Sequence, residues 1–397
     1  MSSATMNLPR AGREGGGLKL DPLLIGIVLS ILLFGLVMVT SASISIASHG
    51  GGDPFSYLRS QLILALGGAL LAALLCAVPT SLLQNFATPL LGLAAVLLVA
   101  VLIPGIGHEV NGSRRWVRLA GFNLQASEVA RIFVLTWIAS YAVRREKELR
   151  ETFSGLLRPL LLTAGFCLAL LLEPDFGAAT VLFVTAFGLL FLAGARLRWV
   201  LVSVLGAGLG FGVLMVSASY RMRRLTSFMD PWSHAFDSGF QLTQSLIAIG
   251  RGQWFGVGLG ESVQKLSYLP EAHTDFLFAV MAEELGLAGV LLTLLLFLAL
   301  VWRVLVIARR ASEAGMKFQA YMAAAFALWV GMQSMINIGV NMGVLPTKGL
   351  TLPFMSYGRS SLLVTLAWFG IVLRIHHEVA VVTRGSASGT RRVAGEE

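Results

Sequence analysis

The sequence predicts an all-α polytopic membrane protein of about ten transmembrane helices, with a long extracytoplasmic loop between the seventh and eighth. Three observations lead there. Of the 397 residues 56% are apolar and only 13% are charged, the mean hydropathy is +0.78, and the apolar residues gather in long runs. A soluble globule of this size cannot hide so much apolar surface, whereas a bilayer core about 30 Å thick is crossed by a helix of about twenty apolar residues. Such runs are expected near Pro22–Ile46, Gln61–Val78, Phe86–Ile103, Ser127–Val143, Pro159–Leu172, Gly177–Ala193, Trp199–Ser217, Phe276–Trp302, Phe318–Met342 and Thr351–Leu373.

With ten spans both termini fall on one side, and the basic residues place that side in the cytoplasm. The inner segments then hold 18 Lys and Arg and the outer ones 10, five of these in the loop from residue 218 to 275. The net charge of +9 is thus mostly a cytoplasmic-face effect and gives no reason to invoke nucleic acid. Residues 1–20 are Gly-rich, carry Arg10, Arg13 and Lys19, and read as a disordered cytoplasmic tail before an apolar run too long for a cleavable signal. Residues 21–378 read as the membrane domain, and 379–397 as a flexible cytoplasmic tail of small and polar residues.

Both cysteines, Cys76 and Cys167, lie in apolar spans, and the spacing of zinc ligands is absent. The chemistry must therefore sit on loops and helix ends. Glu128 and Arg131 lie three apart in the fourth span, on one helical face, and are expected to form an ion pair; either alone would cost about 2.5–3.5 kcal/mol to insert. Two roles stay open for them, a lock between helices and the lining of a substrate cavity. Glu173 and Asp175 fall in a Pro/Gly turn that reads first as solvated turn chemistry. Arg114, Arg115 and Arg118, and further on Arg221, Arg223 and Arg224, break the inside-positive rule on the outer face. They invite an anionic partner, because a guanidinium matches phosphate oxygens in bidentate fashion; anionic lipid headgroups are the alternative.

The glycines of the run from Gly250 to Gly260 lack the Gly-Lys-Ser/Thr of a phosphate loop. They are expected to permit tight turns and close backbone packing, with Trp254 and Phe255 at the bilayer interface. The segment PEAHTDF, Pro270 to Phe276, then leaves one carboxylate, Asp275, at the membrane surface. By residue type alone it is open equally to catalysis and to capping the eighth helix, a task Thr274 could share.

Four motifs carry a family resemblance: NGSRRWVRL (Asn111 to Leu119), EPDFG (Glu173 to Gly177), the stretch from Gln244 to Gly286 that contains PEAHTDF, and LPTKGLTLPFMSYG (Leu345 to Gly358). On these the chain resembles the SEDS family (shape, elongation, division and sporulation) from about Asp21 to Glu378. The Thr-Lys-Gly-Leu-Thr run, Thr347 to Thr351, together with Ala272, favours its division branch. The resemblance implies a peptidoglycan glycosyltransferase that polymerises lipid II at the division septum of the bacterial inner membrane. A lipid II flippase of the same machinery is the alternative, and a scaffold that only recruits division proteins is a third reading.

The family's essential aspartate maps onto Asp275, where it would accept the proton of an attacking sugar hydroxyl. Its intramembrane charge pair maps onto Glu128 and Arg131, the latter an arginine where the family has lysine. Lys348 maps onto the T-K-G lysine and, with Arg114, Arg115 and Arg359, is a candidate to meet the leaving pyrophosphate. A divalent cation, Mg²⁺ or Mn²⁺, is the other candidate for that charge. His273 is expected to orient Asp275 or to bond a loop carbonyl, and Thr274 and Ser356 to lie on the substrate side. Ala126 and Arg359 stand where the family usually has proline and glycine. The implied partners are lipid II, a cognate class B penicillin-binding transpeptidase, since the chain holds no transpeptidase domain, and other membrane proteins of the divisome.

Overall fold

The computed structural model describes residues 18–49, 52–110, 113–119, 122–216, 226–266 and 268–393; Arg221, Arg223, Arg224 and most of the N-terminal tail lie outside them. The helices are α1 (Pro22–His49), α2 (Ser56–Ala77), α3 (Thr80–Asn85), α4 (Ala87–Leu102), α5 (Ala126–Arg144), α6 (Glu146–Glu151), α7 (Phe153–Leu172), α8 (Phe176–Leu192), α9 (Leu197–Val216), α10 (Phe240–Gly252), α11 (Leu277–Glu313), α12 (Lys317–Asn341) and α13 (Arg359–Val393). Among the described residues α1, α2, α5, α7, α11, α12 and α13 are long and apolar enough to cross a membrane, and α4, α8 and α9 are shorter apolar helices. Together they overlap the ten expected spans, the last of which begins at Arg359 rather than Thr351 because residues 351–358 form a turn ahead of it. The expected loop between the seventh and eighth contains the amphipathic α10. The last helix continues past residue 378, into the segment read as a tail.

Up-and-down connectivity puts the two ends of the bundle to different uses. At one end, short polar ties fasten helix to helix: Asp21 to Arg303 at 2.8 Å, the backbone N–H of Lys19 to His377 at 3.0 Å, and that of Thr80 to Glu378 at 2.9 Å. The other end carries the long loops and a three-stranded antiparallel sheet, β1 (Gly107–Val110), β2 (Ser113–Leu119) and β3 (Phe122–Gln125), in that order. Trp116 pairs with Gln125 and with His108. Sequence periodicity does not announce this sheet, because β2 reads SRRWVRL and its arginines obscure the alternation of faces.

Three local solutions shape the bundle. Helix α7 begins at Phe153, a turn and a half before the expected Pro159. The hydroxyl of Thr152 caps it by accepting from the N–H of Gly155 at 3.1 Å. Pro159 has no N–H to give the carbonyl four residues back, and the Tyr141 hydroxyl donates to that carbonyl, on Gly155, at 2.8 Å. Helices α2 and α13 approach closely: a Cβ at Gly370 would lie 2.3 Å from the Ala72 carbonyl oxygen, the small-residue contact by which membrane helices pack.

The third is a break in α11 at Gly286, whose φ of 65° leaves the helical region. The freed carbonyls of Glu283 and Glu284 accept from the N–H groups of Val257 and Gly258 at 3.0 and 3.1 Å. A Cβ at Gly252 would stand 1.8 Å from the Ala282 oxygen, and one at Gly256 2.0 Å from that of Glu284. Close backbone packing is what the glycine run was expected to permit, while Trp254 and Phe255 are exposed. The carboxylates of Glu283 and Glu284, both fully buried, clasp the same loop. Glu283 accepts from Arg251 at 3.0 Å and from Ser262, and Glu284 from Lys265 at 2.8 Å and from Ser41 of α1 at 2.7 Å.

Candidate active site

At the loop-bearing end, Asp275 sits just before α11. Phe276, not Asp275 or Thr274, is the N-terminal flanking residue of that helix, and no side chain caps it. Thr274 instead donates to the carboxylate of Glu271 at 2.8 Å. The capping alternative for Asp275 is thereby removed, and its carboxylate turns to Gly349, where a Cβ would lie 2.8 Å from Oδ2. The T-K-G loop thus approaches within contact distance only because position 349 has no side chain.

The backbone of Asp275 is held from α12. The side-chain amide of Asn337 donates to its carbonyl at 2.8 Å, and that of Asn341 at 3.1 Å. Asn337 also donates to the Leu350 carbonyl, and the Asn341 side-chain oxygen accepts from the N–H of Ala279 at 3.2 Å. One helix face therefore fixes both the aspartate and the loop opposite it. Neither asparagine carries a charge or belongs to one of the four motifs, so residue type alone does not mark them as neighbours of Asp275. With Gln333 they recur every fourth residue in an otherwise apolar span, a stripe of amides that a bilayer would not tolerate facing lipid.

The other motifs converge here. Arg115, on β2, donates to the carbonyls of Glu173 and Pro174 at 3.3 and 2.8 Å and stands 4.0 Å from the Asp175 carboxylate. Asp175 caps α8 by accepting from the N–H of Ala178 at 3.0 Å, and also accepts from the side-chain amide of Gln125 at 3.0 Å. It is 3% exposed, so the turn that read as solvated is buried and built into the site. The ammonium of Lys348 lies 3.0 Å from the ring centroid of Phe176, a cation–π contact. His273 is half-buried between Tyr57 and Tyr357, with ring centroids at 4.9 and 5.5 Å, and its carbonyl accepts from the N–H of Tyr357 at 3.0 Å.

Glu128 and Arg131 share a face but part company. Glu128, in the first turn of α5, accepts from the Ser360 hydroxyl at the start of α13. Arg131, nearly a turn deeper, donates to Gln333 at 2.9 Å and lies 5.3 Å from the Trp329 ring. Among the described residues no ion pair joins them, which corrects the expected pairing: each finds a nearer polar partner on a different helix. Gln333 passes the connection on, donating to the Thr351 carbonyl at 2.9 Å.

Of the remaining candidates, Arg114 is exposed on β2, next to Arg115, where the pairing with β1 slips by one residue. Ser356 is buried and accepts from the N–H of Leu352 at 3.0 Å, which makes it a turn-former. Arg359 is exposed and donates to the Tyr357 hydroxyl at 3.2 Å.

Electrostatics set Asp275 apart. Burial lifts its carboxyl to about 7, Glu271 and Asp175 add to the rise, and Arg115 opposes it. Glu173 is pushed up to about 8 by burial and by Asp175, again against Arg115. Burial lowers the pKa of the His273 imidazole, with Glu271 opposing. Among the described residues no three His, Cys, Asp or Glu side chains gather as metal ligands, and Asp175 is committed to Gln125 and a helix N–H.

Comparison with known proteins establishes the family and the fold. The family model described as cell cycle protein, FtsW/RodA/SpoVE, matches residues 21–380. A probable peptidoglycan glycosyltransferase FtsW from Thioalkalivibrio sulfidiphilus is 54% identical over 354 residues, 88% of either chain. Its counterpart from Halorhodospira halophila is 50% identical over 365 residues, 91% of this chain and 92% of the relative. Among solved structures, a chain of a peptidoglycan synthase complex that coordinates polymerization and crosslinking superposes with a TM-score of 0.75 at 31% identity, covering 91% of this chain and 99% of that one. The rod shape determining protein RodA of Thermus thermophilus does so with a TM-score of 0.65 at 30% identity, covering 91% and 97%. The chain belongs to the FtsW/RodA/SpoVE family of cell cycle proteins, the SEDS family.

Proposed function

We propose that this protein is a peptidoglycan glycosyltransferase that polymerises lipid II on the outer face of the bacterial inner membrane, at the division septum. The observation that carries the reading is the convergence on Asp275 of the four sequence motifs: Arg115 on the Glu173–Asp175 turn, Phe176 under Lys348, Gly349 against the carboxylate, and Tyr357 on His273. The candidate groups gather at one end of the bundle, where a headgroup reaction would occur. A transporter would spread them through the membrane depth.

Chain growth joins a sugar hydroxyl of one lipid II to the anomeric carbon of another glycan, breaking the bond to undecaprenyl pyrophosphate. An alcohol is a poor nucleophile near pH 7. Asp275, with a pKa near that pH, takes its proton as the new bond forms, a contribution of about 10²–10⁴ in rate. The leaving pyrophosphate gathers negative charge, and on this reading Lys348, Arg115, Arg114 and Arg359 are the cations that meet it. Asn337 and Asn341 hold the carbonyl of Asp275 so that its carboxylate does not wander.

On this reading both termini are cytoplasmic, and the loop between α9 and α11 faces outward, as the basic residues favour. A cognate class B penicillin-binding transpeptidase supplies cross-linking, and other divisome proteins recruit the pair. Incubating the purified chain and its partner with labelled lipid II tests the activity. Glycan polymer is the expected product; translocation of lipid II across vesicles without polymer would establish the flippase instead.

A further inference from the structure

At the end of the bundle far from Asp275, a cavity of about 630 Å³ opens between the last turns of α11 and the stretch of α13 from His376 to Thr383. Ile307, Val379 and Ala380 supply apolar wall, and Arg310, His376 and Thr383 supply polar groups. Its size lies within the range of small-ligand sites, about 300–1,000 Å³. Beyond its break at Gly286, α11 runs 27 residues to Glu313, about 40 Å, longer than about 30 Å of hydrocarbon. The cavity therefore stands in a headgroup layer, whichever way the protein is oriented.

The charges around it do not cancel. Asp21 is paired with Arg303, Glu313 with Arg309 and Glu378 with Arg374, each at 2.8 Å. Glu313 also borders the cavity, but its carboxylate is engaged by Arg309. Arg310 forms no ion pair among the described residues, and His376, with Nδ1 3.7 Å from Asp21 Oδ2, lines the cavity opposite it. Arg310 is the basic residue in the last turn of α11, where the helix dipole favours a cation, while Arg309 is turned to Glu313. Arg310 is left as an unneutralised guanidinium above an apolar wall.

We propose that this cavity binds the phosphate headgroup of an anionic phospholipid, with its glycerol and first acyl carbons against Ile307, Val379 and Ala380. Arg310 meets the phosphate; the Thr383 hydroxyl, which donates to the Val379 carbonyl at 2.9 Å, adds a polar surface to the same cavity. The site is independent of the polymerase reading, since it lies at the opposite end of the bundle and uses none of the groups around Asp275.

Native mass spectrometry of the intact chain in detergent, titrated with phosphatidylglycerol or phosphatidylcholine, tests this. The expected result is a saturable lipid bound about fivefold more tightly when anionic, the effect of one interfacial cation. Arg310→Glu should abolish that preference, and Ala380→Trp, which fills the cavity, should remove the bound lipid, both at unchanged melting temperature. Arg310→Gln serves if the charge reversal does not fold. Equal binding of the two lipids, wild-type binding by both variants, or displacement of the lipid by excess inorganic phosphate would overturn the assignment, the last in favour of a free-anion site.

Discussion

The side-chain amide of Asn337 donates to the backbone carbonyl of Asp275 at 2.8 Å, and the same nitrogen reaches the carbonyl of Leu350. One buried amide thus sets the distance between the aspartate and the T-K-G loop that faces it. Asn337→Ala leaves the buried Leu350 carbonyl without this donor, at about 1–3 kcal/mol, and leaves the Asp275 carbonyl to Asn341 alone. The expected outcome is a folded protein whose kcat falls at least about tenfold with little change in KM. Steady-state polymerisation checks it; a change confined to KM would place Asn337 in substrate binding instead.

The pH profile follows from the raised carboxyl of Asp275. A base must be ionised to accept a proton, and this one is half ionised at about pH 7. The rate should therefore climb about tenfold per pH unit well below 7 and level off above it. Arg115→Gln removes the one cation that opposes the rise, so the midpoint should move to higher pH. Rate measurements from pH 5 to 9 on both proteins read this directly.

Arg115 also holds the turn before α8. Arg115→Lys keeps the charge but cannot match two carbonyls and a carboxylate at once, so a clear loss of activity is expected even from this substitution. Asp175→Ala should cost about 1 kcal/mol through loss of the cap, with more lost through the contact to Gln125; Asp175→Asn should retain most of the stability. Thermal unfolding in detergent separates the two.

The clasp on α11 gives a non-additive prediction. Lys265→Met alone strands the buried Glu284 charge, and Glu284→Met alone strands Lys265, each costing about 3–5 kcal/mol. The double change removes both charges and should be less harmful than the sum of the singles. A melting-temperature cycle of the four proteins tests this, and simple additivity would contradict the buried pairing of Lys265 with Glu284.

Much of the bundle was legible because a membrane helix needs a run of apolar residues that few other structures require. The start of α7 was not, since Pro159 reads as a boundary unless Tyr141 is known to satisfy the carbonyl of Gly155. The sheet was hidden by the arginines of β2. At the site, Asp275, Lys348 and Arg115 were readable from motif and residue type. The partners of Glu128 and Arg131 were not: spacing places two residues on one face but says nothing of Ser360 or Gln333 on other helices. Asn337 and Asn341 were visible as a four-residue stripe of amides, and were missed because they carry no charge.

The central claim is that the Asp275 carboxylate is the base for glycan polymerisation, and Asp275→Asn tests it most directly. This change keeps the shape and the backbone contacts to Asn337 and Asn341 while removing the proton acceptor. With labelled lipid II, the partner transpeptidase and equal amounts of folded protein, wild type should give polymer and the variant at least about a hundredfold less, with lipid II still bound. Equal polymer from both would contradict the account and move the base elsewhere.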